Sequence, residues 1–171
     1  MYPSGARKRR RLGHLVRRFF GSLRPGGPLP ADEAWARAQL VPGEVELWSR
    51  LSGADRRHAV GVAHDVERRL GGAATRPVLA AALLHDVGKL DSGYGTFARV
   101  AVTVWAAVAG RQRLWGRAAR YVAHPQIGAA WLEAAGSDAL TVAWTREHHL
   151  PPGRWTVPAD VAHALKAADD D

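Results

Sequence analysis

Hydrophobic and polar positions along residues 31–171 follow a helical spacing, interrupted by short segments rich in glycine and proline. Strand-like alternation is confined to residues 100–104, which lie within a helical pattern, and no internal repeat is present. We therefore predict an all-α fold, a single compact helical bundle. The expected helices run through residues 35–40, 44–51, 55–70, 77–86, 97–109, 114–123, 125–135 and 138–149, and a last helix starts at Pro158.

Capping residues and helix breakers set the expected helix ends. Asp32, Thr75 and Ser137 are each placed to cap the first turn of a helix. Either Ser52 or Asp55 opens the third helix. Glycine after the last apolar position and proline inside a pattern both end a helix. The expected breaks are at Pro42-Gly43, Gly71-Gly72, Gly136 and Pro151-Pro152.

Basic residues are concentrated at the N-terminus. The formal net charge is +8, and eight of the 24 Lys and Arg residues lie within residues 1–24, which contain no acidic residue. The remaining basic residues are balanced by the 16 acidic ones, so the body of the chain is neutral. We predict two parts: a basic, flexible tail and linker over residues 1–30, and a helical domain over residues 31–171.

The basic tail leaves three interpretations open. It is a solvated terminus, or residues 7–24 contact an anionic membrane surface, or they contact nucleic acid. No apolar run reaches the roughly 20 residues that a membrane-spanning helix needs, and no secretory signal is evident. We expect a cytoplasmic protein, with peripheral association at a membrane as the alternative.

The residues with chemical potential are histidines and carboxylates. Cysteine is absent, which excludes disulfides, thiolate ligands and cysteine nucleophiles, so a metal would be bound by nitrogen and oxygen. His85 and Asp86 offer one ligand of each kind at the end of the apolar residues 80–84. A buried Asp86 requires a compensating cation or hydrogen bonds. Further candidate ligands are His58, His124, His148, His149 and Asp169.

Two of these positions leave alternatives open. On an ideal helix His148 and His149 point about 100° apart, so one of them could be structural. A metal at the end of the helix could still take both. Asp169 belongs to an acidic C-terminus, where Asp170 is the fallback ligand.

Other histidines are weaker candidates. His64-Asp65 repeats the His-Asp dipeptide, but no long apolar run precedes it. We expect Asp65 to be solvated, with a hydrogen bond behind His58 as the alternative. His14 and His163 are not expected to be ligands.

Two segments carry a resemblance to a known family: residues 83–90, LLHDVGKL, and residues 124–132, HPQIGAAWL. With the order His, His-Asp, His, His-His and Asp, the chain resembles the HD-domain metal-dependent phosphohydrolase superfamily, and most closely its HD-GYP branch. The resemblance spans residues 55–170. It implies an HD-type helical domain that binds two divalent ions, iron or manganese or else zinc or magnesium, with Asp86 as the bridging ligand.

One segment departs from the family pattern. The HD-GYP branch has an acidic residue and a Gly-Tyr-Pro signature after the double histidine, where this chain has residues 150–155, LPPGRW. Hydrolysis of cyclic di-GMP, the usual activity of that branch, is therefore not carried over to this chain.

Three residues are candidates for substrate binding. Lys89 follows Gly88 just past the metal pair and is placed to bind a phosphate, and with Asp86 it forms the expected catalytic pair. Arg146 lies one helical turn before His149, and Trp155 lies in the loop that follows. For Lys89 the alternative is a solvated lysine, and Arg146 is the weaker candidate for binding a phosphate.

The predicted function is a metal-dependent phosphohydrolase that cleaves a phosphate ester through a metal-activated hydroxide. A nucleotide or a cyclic-dinucleotide-like compound is a candidate substrate. The first alternative is a non-catalytic HD-type module that regulates or senses a nucleotide. The second is an adaptor at a membrane or nucleic acid, which leaves the histidines unexplained.

Overall fold

The computed structural model describes residues 26–92 and 123–170, and all regular structure in these two ranges is helical. This confirms the all-α prediction for the described part of the chain. Short 3-10 turns connect several of the helices. The helices are α1 (Pro30–Ala38), α2 (Pro42–Arg50), α3 (Gly53–Leu70), α4 (Arg76–Leu84), α5 (His124–Ala134), α6 (Ala139–Glu147) and α7 (Ala159–Asp170).

The caps differ in part from the prediction. Ser52 caps α3 as expected, since its hydroxyl accepts the backbone N–H of Asp55 at 3.1 Å. The prediction for α1 is wrong: Leu29 is the cap, and Asp32 lies in the first turn, where its charge suits the positive end of the helix dipole. At α6 the cap is Asp138 rather than Ser137, and its carboxylate accepts the N–H of Leu140 at 2.8 Å.

The two helices that lead into the adjacent candidate ligands each end two residues earlier than the hydrophobic pattern suggests. The pattern extends to residues 86 and 149, whereas α4 ends at Leu84 and α6 at Glu147. A 3-10 turn, Val87–Ser92, follows α4, and Pro151 closes the segment after α6. The candidate ligands therefore lie just past the helix ends, where the backbone is free to turn their side chains toward a common centre.

Helix α4 forms the middle of the core. Its residues from Val78 to Leu84 are all buried, and it packs against α3 on one side and α6 on the other. Burying a leucine side chain such as Leu83 or Leu84 contributes about 1.5–3 kcal/mol to the stability of the fold. The apolar sequence of α4 therefore fixes the position of His85 and Asp86, which follow it. Trp48 and Trp144 fill the space around it. This packing holds the end of α4 rigidly.

The turn after α4 packs directly against the start of α5. A Cβ atom added to Gly88 would lie 2.6 Å from the backbone nitrogen of Gly128 and would collide with the carbonyl oxygen of His124. Only glycine allows two backbones to approach this closely. The contact brings His124 next to Asp86.

Part of the sequence prediction concerns residues outside the described ranges. The basic tail and linker were predicted over residues 1–30, of which residues 1–25 lie outside the described ranges. The helices expected over residues 97–109 and 114–123 also lie outside them, except for Ala123, which forms a turn. Within the described ranges, every helix is too short or too polar to cross a membrane.

Candidate metal centre

The seven predicted ligands come from five helices and converge on one place. Six of them lie at or just past a helix end and His58 lies in the second turn of α3, which is how a helical bundle directs distant side chains to one centre. The side chains form two clusters, and Asp86 lies between them. The members are His58 from α3, His85 and Asp86 from the end of α4, His124 from α5, His148 and His149 from the end of α6, and Asp169 from α7.

The first cluster, which we name the Asp169 group, consists of His58, His85 and Asp169. One ligand atom from each lies within 4.8 Å of the others. The Oδ1 atom of Asp169 is 3.5 Å from Nε2 of His58 and 3.5 Å from Nε2 of His85. Two imidazoles and a carboxylate at this spacing are typical of a divalent metal site.

The second cluster, which we name the His149 group, consists of His124, His148 and His149. Their ligand atoms also lie within 4.8 Å of one another, and the Nε2 atoms of His124 and His149 are 3.3 Å apart. The two consecutive histidines both belong to the group: His148 is the C-terminal cap of α6, with its N–H donating to the carbonyl oxygen of Trp144 at 2.9 Å, and His149 follows it in the turn after the helix.

Asp86 faces both groups. Its Oδ2 atom lies 3.5 Å from Nε2 of His85, in the Asp169 group. Its Oδ1 atom lies 3.3 Å from Nε2 of His124 and 3.8 Å from Nε2 of His148, in the His149 group. A carboxylate with one oxygen toward each of two ligand clusters has the position of a bridging ligand.

Two histidines are oriented by backbone carbonyl groups. Nδ1 of His85 lies 2.9 Å from the carbonyl oxygen of Ala82, and Nδ1 of His148 lies 2.9 Å from that of Thr145. Because a carbonyl only accepts, each Nδ1 carries the proton and each Nε2 keeps its lone pair. Such hydrogen bonds commonly orient metal-binding histidines.

The inward-facing nitrogens of the same two histidines fit a metal. Nε2 of His85 and Nε2 of His148 are buried and make no well-formed hydrogen bond within the described residues; the nearest carboxylate oxygens, of Asp86 and Asp169, lie 3.5 Å from His85, and that of Asp86 lies 3.8 Å from His148. A buried polar atom without a partner costs free energy. Two such atoms on either side of Asp86 are what a site for two cations requires.

The electrostatics favour an ionised Asp86. Burial acts to raise the pKa of its carboxyl, but Lys89, His85 and His124 outweigh burial and hold the pKa well below its usual range. The ammonium group of Lys89, which is half-buried, forms an ion pair with Oδ2 of Asp86. The structure thus places Lys89 at the candidate centre, as the sequence predicted.

The carboxyl and imidazole groups of the Asp169 group influence each other. Burial acts to raise the pKa of Asp169, and His85 and His58 more than offset it, so that the pKa lies well below the usual range. Burial acts to lower the pKa of His85, but the carboxylates of Asp86 and Asp169 outweigh it, and the pKa is raised. A proton therefore competes with a metal for His85.

Two imidazoles of the His149 group, those of His148 and His149, have lowered pKa values that favour the neutral form. Burial and the neighbouring His149 and His85 hold the pKa of His148 well below its ordinary value. Although part of His149 is exposed, its ring lies against His124 and His148, and this desolvation together with His124 lowers its pKa to about 4. Neutral imidazoles have the free lone pairs that a metal needs.

Asp169, and not its fallback Asp170, belongs to the cluster. Asp170 is exposed, and its Oδ1 atom lies 2.8 Å from Nζ of Lys166, one turn earlier on α7. The ammonium group of Lys166 lies 3.9 Å from Oδ2 of Asp169.

Two predicted substrate residues have their described contacts elsewhere. Arg146 is exposed and forms a 2.6 Å ion pair with Glu133 on α5. The indole of Trp155 packs against Trp144 and His163, and its N–H donates to the carbonyl oxygen of Leu150 at 3.0 Å. None of these described contacts is with a candidate ligand, so the substrate roles of Arg146 and Trp155 stay predictions.

The second His-Asp dipeptide lies in α3 away from the candidate metal centre, and both of its residues are half-buried rather than solvated. Asp65 accepts hydrogen bonds from Arg68 and Arg69, and the ring of His64 stacks on Trp35 at 4.0 Å between ring centroids. Neither belongs to a candidate metal cluster of the described residues. His163 is likewise outside both groups, and His14 lies outside the described residues.

Sequence reasoning missed two residues that support the site. Glu147 is almost fully buried directly before the double histidine, and both of its carboxylate oxygens accept hydrogen bonds from Thr156. A glutamate directly before two candidate ligands is a sequence feature that could have indicated a supporting residue. Its partner Thr156 lies nine residues away across a loop, however, and spacing alone does not reveal such a pair.

The chain matches no family model, no curated protein and no solved structure. A function for this centre must therefore be inferred from its own geometry and chemistry.

Proposed function

We propose that this chain is a two-metal phosphohydrolase of the HD type that cleaves a phosphate ester. The observation that carries the proposal is the position of Asp86, whose two carboxylate oxygens face different ligand groups. Two divalent ions about 3.5–4 Å apart lower the pKa of a shared water and stabilise the attacking and leaving oxygens of a phosphate ester. The buried Nε2 atoms of His85 and His148 support the same conclusion.

The ligand set favours particular metals. The Asp169 group offers two imidazoles and a carboxylate, the His149 group offers three imidazoles, and Asp86 adds an oxygen to each. Magnesium prefers oxygen ligands and keeps its waters, so it suits three imidazoles poorly. Iron and manganese, with zinc as the alternative, accept mixed nitrogen and oxygen ligands.

Lys89 is the residue of the chain best placed to bind the phosphate of a substrate. Its ammonium group lies beside Asp86 and is partly exposed. A lysine binds a phosphate as a compact charge with three donors, so it can hold a phosphoryl oxygen while remaining close to Asp86. In this proposal Lys89 orients the substrate, and Asp86 and the histidines hold the metals.

The test is a comparison between the two His-Asp dipeptides of the chain. Wild-type protein, a His85→Ala/Asp86→Ala variant and a His64→Ala/Asp65→Ala control are purified anaerobically. Metal content is measured, and hydrolysis of phosphomonoesters, nucleotides and cyclic dinucleotides is screened. We expect about two metals per chain and turnover in the wild type and the control, and neither in the His85/Asp86 variant.

Two results would contradict the proposal. One is a wild-type metal content below about one ion per chain, and the other is turnover that survives in the His85/Asp86 variant. Two bound metals without turnover of any phosphate ester would favour the nucleotide-sensing module instead.

A further inference from the structure

We infer that Glu147 and Thr156 act together as a positioning device for the His149 group. We name this pair the Glu147–Thr156 strap. It deepens the proposed function, because it rests on the premise that the His149 group binds a metal. Neither residue is a candidate ligand, so the strap acts only through the histidines it holds.

The strap consists of two short hydrogen bonds to one carboxylate. The backbone N–H of Thr156 donates to Oε2 of Glu147 at 2.6 Å, and the hydroxyl of Thr156 donates to Oε1 at 2.7 Å. Glu147 is only 8% exposed, so its carboxylate depends on these donors. Hydrogen bonds to a carboxylate are stronger than those between neutral groups. Breaking the pair therefore releases the segment between its two ends.

That segment contains two ligands of the His149 group. Residues 148–155 lie between the two ends of the strap. The backbone there is held by the last helical bond, from the N–H of His148 to the carbonyl oxygen of Trp144, and by one turn bond, from the N–H of Leu150 to the carbonyl oxygen of Glu147. A second tie inside the segment, from the indole of Trp155 to the carbonyl oxygen of Leu150 at 3.0 Å, keeps the loop compact. The strap thus closes the loop at its base, and closing a short loop removes conformational freedom from the residues within it.

The two histidines depend on the strap to different degrees. His148 is also held from within α6, through its Nδ1–H to the carbonyl oxygen of Thr145. The contacts described for the ring of His149 are with His124 and His148, the other members of its group. The position of His149 is therefore set by the backbone on either side, which the turn bond from Leu150 to Glu147 and the strap hold together.

The Asp169 group is independent of this segment. Its members come from α3, α4 and α7, and none lies between residues 147 and 156. Loss of the strap should therefore weaken one metal and spare the other. A general loss of folding stability would weaken the binding of both metals and not of one alone.

The test is a titration of the metal-free, full-length chain with cobalt(II) alone, followed by calorimetry and by visible absorption. Glu147→Ala removes the strap. Glu147→Gln keeps both contacts, because the amide oxygen accepts the N–H of Thr156 and the amide nitrogen donates to its hydroxyl. Thr156→Val removes one of the two hydrogen bonds with little change of shape. Glu133→Ala, which removes an exposed ion pair to α6, is the matched control.

We expect Glu147→Ala to weaken the second cobalt equivalent by about 10–100-fold, the range seen when support behind a metal ligand is lost. Its absorption should change while the first equivalent keeps its affinity. Thr156→Val should show a smaller loss at the second equivalent, and it provides the answer if Glu147→Ala does not fold. Glu147→Gln and Glu133→Ala should bind like the wild type.

Three results would overturn the strap: unchanged cobalt binding in Glu147→Ala and Thr156→Val, equal weakening of both equivalents, or a loss in Glu147→Gln as large as in Glu147→Ala. A wild type that binds a single equivalent would overturn it as well. Failure of the proposed function looks different, because it would show as intact binding of two cobalt ions without hydrolysis of phosphate esters.

Discussion

The Asp169 group and the His149 group share Asp86 but are built in different ways. The Asp169 group combines two imidazoles with a carboxylate, and its residues are buried or half-buried. The His149 group has three imidazoles, one of which is exposed, and two of them are consecutive in the chain. The first is assembled from three helices, and the second from the facing ends of α5 and α6.

This difference predicts two metals with unequal properties. Two carboxylates, those of Asp169 and Asp86, offer the first group enough negative charge to neutralise a divalent cation. The second group has only a share of the charge of Asp86. Opposite charges attract more strongly away from bulk water, so the Asp169 group should bind its metal more tightly near neutral pH. Because the outer ligand His149 is reachable by solvent, the second metal should exchange faster.

Removing the shared ligand should have the largest effect, because it damages both groups at once. Asp86→Asn keeps the shape of the side chain and removes its charge, so we expect both metals to bind weakly and turnover to fall by about 1,000-fold or more. Metal content and phosphate ester hydrolysis provide the measurement. A variant that retains one tightly bound metal would show that Asp86 serves a single group.

Removing one ligand from each group should separate the two metals. Asp169→Asn should weaken the metal of the Asp169 group on the order of 100-fold, while His149→Ala should do the same to the other metal alone. Cobalt titration of each variant distinguishes the two. Asp170→Asn, a change in the exposed neighbour that pairs with Lys166, is the control and should bind like the wild type. Identical titrations of Asp169→Asn and His149→Ala would mean that the groups are not separate sites.

A substitution at Gly88 should disturb the His149 group without touching a ligand. The Cβ atom of Gly88→Ala would meet the backbone of α5 at His124 and Gly128, so we expect about 1–3 kcal/mol of lost stability and a weaker second metal. Gly61→Ala is the matched control, because its Cβ has no neighbour within 4 Å and alanine favours a helix. Chemical denaturation of the metal-free chains measures the difference. Equal stability of the two variants would contradict the close packing of the turn on α5.

The two groups should also respond differently to acid. The pKa of His85 is raised, so below that value a proton must leave before the Asp169 group binds metal, and affinity should fall roughly tenfold per pH unit. The pKa of His149 is about 4, and that of His148 is also lowered well below its ordinary value. Protons should therefore compete little for His148 and His149 until the pH approaches about 4.

This prediction is measured with the single-group variants. Cobalt affinity is determined at several pH values in His149→Ala, which reports on the Asp169 group, and in Asp169→Asn, which reports on the His149 group. Parallel pH dependences in the two variants would show that His85 carries no competing proton.

The helices of the described residues and the residues that form the two candidate ligand groups were predictable from the sequence, but the residues that support those groups were not. The apolar run before His85 predicted a buried helix end, and the described structure has it. The predicted caps at Asp32 and Ser137 were wrong. The first helix begins three residues earlier, with Leu29 as its cap, and the other cap is one residue later, at Asp138; local propensity does not resolve shifts of this size.

The relation between the two groups depends on contacts that are distant in sequence. The close approach of Gly88 to α5 places His124 beside Asp86. These two residues are more than 30 positions apart in the sequence, and spacing alone does not predict their contact. The same holds for the hydrogen bonds from Thr156 to Glu147, which cross a loop. Periodicity predicts which face of a helix is buried, and only the packed structure shows which helix ends meet.

The most direct test of the account is the location of metal ions in a crystal of the manganese-loaded protein by anomalous scattering. The account predicts two peaks about 3.5–4 Å apart, one at each ligand group, with one oxygen of Asp86 bound to each ion. A single peak, or two peaks of which only one contacts Asp86, would contradict it.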